Sequence, residues 1–163
     1  KVDDRLVESI DLVPTLIDIA GGNIPNHILE GRSLLPLLQG ENPKNWRNYV
    51  VSESEYASRI AFWDLGLEAH EARATMIRTE DWKYIFHESF RPELFDMKND
   101  PEELCDLGED QAYNTILQEM KDLMFESLRR RRTRTTRDND YMKMRARHAL
   151  ASNSKRPVYI GVW

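Results

Sequence analysis

Four histidines, one cysteine and a run of arginines are the side chains of this chain with the widest chemical reach. His27, His70, His87 and His148 stand far apart. No two of them have the His-x-x-x-His spacing that places a pair of imidazoles on one helix face around a metal ion. Cys105 is the lone cysteine, which rules out an internal disulfide and a multi-cysteine metal site. Its neighbours Glu102, Glu103 and Asp106 are acids that repel a thiolate, so no nucleophilic role is expected of it. There is no glycine-rich phosphate loop and no Gly-x-Ser-x-Gly nucleophile elbow. His70 is the histidine best placed for function, because it falls in a long loop of a strand-rich region. No residue is assigned a catalytic, cofactor-binding or metal-binding role.

The arginines concentrate between Arg129 and Arg137, and charge divides along the chain. Residues 1–128 carry 12 Lys/Arg against 26 Asp/Glu, a net of −14, while residues 129–163 carry 11 basic against 2 acidic residues, a net of +9. A basic arm on an acidic body favours docking of the arm on a neighbouring subunit, and hence a homo-oligomer built through residues 129–163. The apolar end, Val158-Tyr159-Ile160-Gly161-Val162-Trp163, strengthens that expectation. A solvated helix end is the second reading. A nucleic-acid or acidic-polymer patch is the third, weakened by the lack of interleaved aromatics. No apolar run approaches the length of a membrane span. The single cysteine leans towards a reducing, cytoplasmic setting, and the start at Lys1 reads as mid-protein.

Periodicity supplies the elements that must position these groups. Residues 11–20 read as a helix with Asp11 as N-cap, Pro14 in the first turn and Gly21 or Gly22 as the stop. Val13, Leu16, Ile17 and Ala20 form its apolar stripe. Residues 5–10 are open between strand and helix. Ser33 caps a short helix over residues 34–38, closed by Gly40. Strands are expected over residues 49–55, 74–79, 82–87 and 93–97, with Glu80-Asp81 as a hairpin turn. Asn99-Asp100-Pro101 forces a turn, and Asp100 caps a helical turn begun at Pro101. Residues 111–130 read as one amphipathic helix across a face of the sheet, with the Phe95 ring beneath it.

Four segments lie in an order that resembles one family. They are Ser9-Ile10-Asp11-Leu12-Val13-Pro14-Thr15-Leu16, Leu29-Glu30-Gly31-Arg32-Ser33-Leu34-Leu35-Pro36-Leu37-Leu38, Ile77-Arg78-Thr79-Glu80-Asp81-Trp82-Lys83-Tyr84-Ile85, and the stretch from Glu93 to Leu107. Together they resemble the C-terminal third of the sulfatases of the alkaline phosphatase superfamily. Gly21-Gly22-Asn23-Ile24-Pro25, Asn45-Trp46-Arg47 and the long tail are most similar to the phosphonate monoester hydrolase and arylsulfatase branch. The resemblance implies a metal-dependent hydrolase of sulfate or phosphonate/phosphate esters. It implies a formylglycine nucleophile beside a divalent metal, all upstream of this chain. Cys105 is followed by Asp-Leu-Gly-Glu and does not match the formylglycine motif. The expected fold is α+β: a four-stranded antiparallel sheet packed by a long C-terminal helix, with a short helical N-terminal segment. Residues 1–48 would end an α/β catalytic domain, residues 49–130 would form the C-terminal subdomain, and residues 131–163 the basic arm. The missing N-terminal catalytic domain is then the first partner, and the fragment alone is expected to hold no metal and to be inactive.

Overall fold

The computed structural model describes residues 2–56, 65–132, 138, 140, 141, 143–145 and 147. Its centre is an antiparallel meander of β1 (Val50–Glu55), β2 (Arg73–Arg78), β3 (Trp82–His87) and β4 (Glu93–Asp96), in which spatial order follows chain order. The β2–β3 turn works as its residue types suggest. Thr79 N–H donates to Trp82 O at 2.8 Å, and Trp82 N–H donates to the Thr79 hydroxyl at 3.0 Å. The fold is the α+β arrangement expected from the sequence.

Register decides which side chains share a face. Val51 lies opposite Ile77, Ile77 opposite Tyr84, and Tyr84 opposite Leu94. This row meets α3 (Asn114–Arg129), whose Met120 and Met124 join Ile77, Tyr84 and Leu94 in the core. Trp82 packs edge-on against Tyr113, with ring centres 5.8 Å apart. A 3-10 turn, Gln111–Tyr113, begins the helical stretch, and Asp110 caps it by accepting from Ala112 N–H at 2.9 Å.

The neighbouring row faces away from α3 and corrects one expectation. Phe95 lies opposite Lys83, and Lys83 opposite Arg78. Successive strand residues point to opposite faces, so with Leu94 under the helix, Phe95 is buried on the other side. There Lys83 Nζ stands 5.9 Å from the Phe95 ring centre and pairs with Glu103 at 2.5 Å.

The stretch after β4 also differs from expectation at one point. Pro101 and Glu102 form a single turn closed by Glu103 N–H donating to Asp100 O at 3.1 Å, and it does not continue into a helix. The Asp100 carboxylate instead accepts from Leu104 N–H at 3.1 Å and Cys105 N–H at 2.8 Å, and Glu103 takes a left-handed conformation, φ 60°. Asp106 ties the segment back to the sheet. Its Oδ1 accepts from Leu94 N–H at 3.1 Å and Gly108 N–H at 2.9 Å, while Oδ2 takes Arg91.

Candidate functional site

The densest polar structure is built where the N-terminal segment meets the sheet. A 3-10 turn, Ser9–Asp11, leads into α1 (Leu12–Ile19), which stops at Gly21 in the left-handed region, φ 72°. Asp11 holds the N-cap position, yet its carboxylate does not cap α1. It is fully buried and accepts from Glu8 N–H at 2.8 Å, Arg32 N–H at 2.8 Å, and both Arg47 guanidinium nitrogens at 2.7 and 2.5 Å. Glu8 completes the clasp. Its Oε2 lies 2.9 Å from Arg47 Nη1, and its Oε1 accepts from Val51 N–H at 2.8 Å.

The surroundings of this clasp hold it rigid. Trp46 is flanked by two cations, with Arg32 and Arg47 at 5.9 and 5.8 Å from its ring, and its indole N–H donates to Leu6 O at 2.9 Å. Thr15 donates to Asp11 O at 2.6 Å and accepts from Leu34 N–H at 2.8 Å, which seats α2 (Leu35–Leu38). Ser33 bonds Asp18 at 2.5 Å and accepts from Leu35 N–H, so it supports α2 although Leu34 holds the cap position. Burial pushes the Asp11 carboxyl up, but Arg47 and the N–H groups of Arg32 and Glu8 together hold it below the usual carboxylate range.

Gly31 lets the loop close on the clasp. A Cβ there would stand 2.1 Å from Ile10 O and 2.6 Å from the carbonyl carbon behind it, both backbone atoms that cannot swing aside. Gly31→Ala is therefore expected to unseat the Arg32 N–H from Asp11. Hydrogen exchange at Arg32 should rise in this variant; unchanged protection there would refute the close approach.

α1 is turned the opposite way from an ordinary surface helix. Its inner side carries Asp11, Pro14 and Thr15, while Leu12, Val13, Leu16 and Ile19 face out, with Leu16 65% exposed. Of the stripe read from the sequence, Val13, Leu16 and Ala20 are exposed and Ile17 is half-buried, so it is not a core face of this chain, and Leu12 and Ile19 widen the outward apolar side.

Residues singled out for chemistry do not converge. His70 sits exposed in a 3-10 turn, Ala69–Glu71, where its carbonyl accepts from Arg73. His87 closes β3 near Glu93 and edge-on to Phe90, His27 lies in the loop before α2, and Cys105 is exposed. His148 lies outside the described residues, as do Phe62 and Trp63 of the long loop and Tyr159, Ile160 and Trp163 of the arm. Among the described residues no three His, Cys, Asp or Glu side chains gather as a metal-binding group. No helix among them is long and apolar enough to cross a membrane.

The first four arginines of the run, Arg129 to Arg132, contact the chain's own body. Arg129 and Arg130 pair with Glu126, each at 2.9 Å, and Arg131 with Glu53 at 2.8 Å. The Arg132 N–H meets Glu30, and its guanidinium donates to Leu29 O at 2.6 Å. Sequence reasoning missed this latch and the clasp. The partners of Arg131, Arg132 and Arg47 lie tens of residues away and leave no local pattern, whereas Arg129 and Arg130 meet Glu126 within one helical turn; Asn45-Trp46-Arg47 marked one side of the clasp.

This architecture has counterparts. A family model described as N-sulphoglucosamine sulphohydrolase, C-terminal, matches residues 1–131. The multifunctional alkaline phosphatase superfamily protein PehA of Trinickia caryophylli is 32% identical over 124 residues, covering 73% of this chain and 24% of its own length. A Delta 4,5-hexuronate-2-O-sulfatase of Bacteroides thetaiotaomicron is 38% identical over 125 residues, covering 76% and 24%. The solved phosphonate monoester hydrolase of Silicibacter pomeroyi superposes with a TM-score of 0.71 at 28% identity, over 80% of this chain and 26% of that one. The chain thus spans about a quarter of the length of these relatives.

Proposed function

We propose that this chain, which belongs to the N-sulphoglucosamine sulphohydrolase C-terminal family, serves as the C-terminal portion of a sulfatase-like hydrolase whose chemistry resides in a preceding catalytic domain. The substrates would be sulfate or phosphonate/phosphate esters. When bound, a divalent metal beside a formylglycine would supply the electrophile and the nucleophile there. This chain's own residues would position rather than react: the Asp11–Arg47 clasp fixes the angle between α1 and the sheet.

The observation that carries this reading is the outward apolar stripe of α1. Burial of apolar side chains stabilises by roughly 25 cal/mol per Å² removed from water, and this helix forgoes that gain along Leu12, Val13, Leu16 and Ile19. A helix that buries its polar side and exposes its apolar side is built to be covered by more protein. The second reading, an interaction module for acidic polymers, loses support because Arg129 to Arg132 are already engaged by Glu126, Glu53, Glu30 and Leu29 O.

The test compares the intact longer protein with residues 1–163 alone on p-nitrophenyl sulfate and phenylphosphonate esters. Chelator-sensitive turnover is expected only for the longer protein. Turnover by the 163-residue chain, or none by the longer one, would overturn the assignment. Steeply salt-dependent oligonucleotide binding by the chain would favour the module instead.

A further inference from the structure

Arg78 is a cation that the fold leaves without an anion. The other described arginines up to Arg132 each meet an acceptor, from Arg5 on Asp3 to Arg131 on Glu53. Arg78 has no hydrogen-bond or ion-pair partner among the described residues, and its Nε is sealed from solvent in that state. The residue is half-buried at the end of β2. A sealed N–H without an acceptor is costly, and native proteins carry few of them.

The surroundings add to that cost. Arg78 stands opposite Val50 on β1 and Lys83 on β3, on the face turned away from α3. Like charges directly opposite across a strand pair are destabilising. Glu103 reaches this face, but Lys83 already holds it at 2.5 Å. Two cations thus stand against one anion.

The missing group has a defined chemistry and a direction. A guanidinium is matched best by a carboxylate, which takes two parallel N–H groups at once. Val50 adjoins Val51, whose N–H is taken by Glu8, so Arg78 lies at the end of the sheet where the N-terminal segment docks. The chain spans about a quarter of the length of its relatives, which leaves most of the polypeptide that could supply an acid outside it.

We propose that Arg78 is a docking contact for an Asp or Glu carboxylate contributed by the polypeptide that precedes this chain in the longer protein. The inference rests on the reading that a catalytic domain precedes this chain, and it adds where one acid of that domain lands. Docking turns an unanswered cation into a paired one, so Arg78 favours the assembled protein over its separate parts.

The sign of one substitution tests this. Arg78→Met in the 163-residue chain removes an unanswered cation, so the melting temperature should stay unchanged or rise. In the longer protein the same change should lower it by roughly 2–4 °C, because a carboxylate is then left buried without its cation. A comparable fall in the chain alone would overturn the proposal, since Arg78 would then be answered from within; so would no fall in the longer protein. Arg78→Lys locates the acid, because it keeps the charge and offers an amine. In the longer protein a carbodiimide should join position 78 to an Asp or Glu preceding Lys1, read by peptide mass spectrometry. A link confined to residues 1–163, or no link, would overturn the proposal. Millimolar sulfate that raised the melting temperature of the wild-type chain but not of Arg78→Met would overturn it too, because the site would then take a free oxyanion. Turnover by the longer protein is scored separately: its absence rejects the hydrolase reading and leaves the crosslink to decide the contact.

Discussion

Replacing Arg47 by Met is expected to lower unfolding free energy by about 3–5 kcal/mol, the usual result of stripping one partner from a buried ion pair. The side chains of Arg47 and Asp11 are only 7% and 0% exposed, so the Asp11 carboxylate would stay buried without its main counter-charge. Denaturant titration reads the loss, and a drop below about 1 kcal/mol would mean that water or relaxation replaces the guanidinium. Asp11→Asn should cost less, because Glu8 still answers Arg47. The pH dependence follows from the direction of the Asp11 shift. Its folded value lies below its unfolded one, so its contribution is complete above the unfolded value near pH 4 and is lost as pH falls through the folded value. The Arg47→Met variant should therefore show a weaker acid destabilisation than the wild type.

Leu94→Ala and Phe95→Ala are both expected to be costly, by about 2–5 and 3–5 kcal/mol respectively, as cavity-forming core changes are. Their local consequences should differ. Leu94 lies under α3 in one core with Met120 and Met124, whereas Phe95 lies on the opposite face beside Lys83 and Glu103. Leu94→Ala should raise amide exchange across α3, and Phe95→Ala should raise it instead at Leu104 and Cys105 in the turn beyond Glu103. Similar exchange patterns in the two variants would show that the faces are not energetically separate.

Strands, the β2–β3 turn and the long helix were legible in the sequence because their signals are local: alternation, Thr-Glu-Asp-Trp turn chemistry, and apolar residues at helical spacing. Leu94 and Phe95 expose the limit of that reading. Two adjacent apolar residues in a four-residue strand must point apart, and only pairing with Tyr84 decides which one meets α3. The α1 stripe is a second case. Periodicity finds the face but not the body that covers it. The clasp was invisible for a third reason: Asp11 and Arg47 are 36 residues apart, and no short pattern records their pairing.

The meander has a consequence for the order of assembly. Each strand pairs with the one made just before it, so the sheet forms by closing short loops, which is fast. The bonds from Glu8 to Val51 and from Asp11 to Arg47 span 43 and 36 residues. They close a longer loop whose entropy must be met first. On refolding of this chain the N-terminal segment thus waits until the sheet exists to receive Glu8. Pulsed hydrogen exchange during refolding should protect the amides of β2 and β3 before those of Arg32 and Val51, and the reverse order would show that the clasp nucleates the fold.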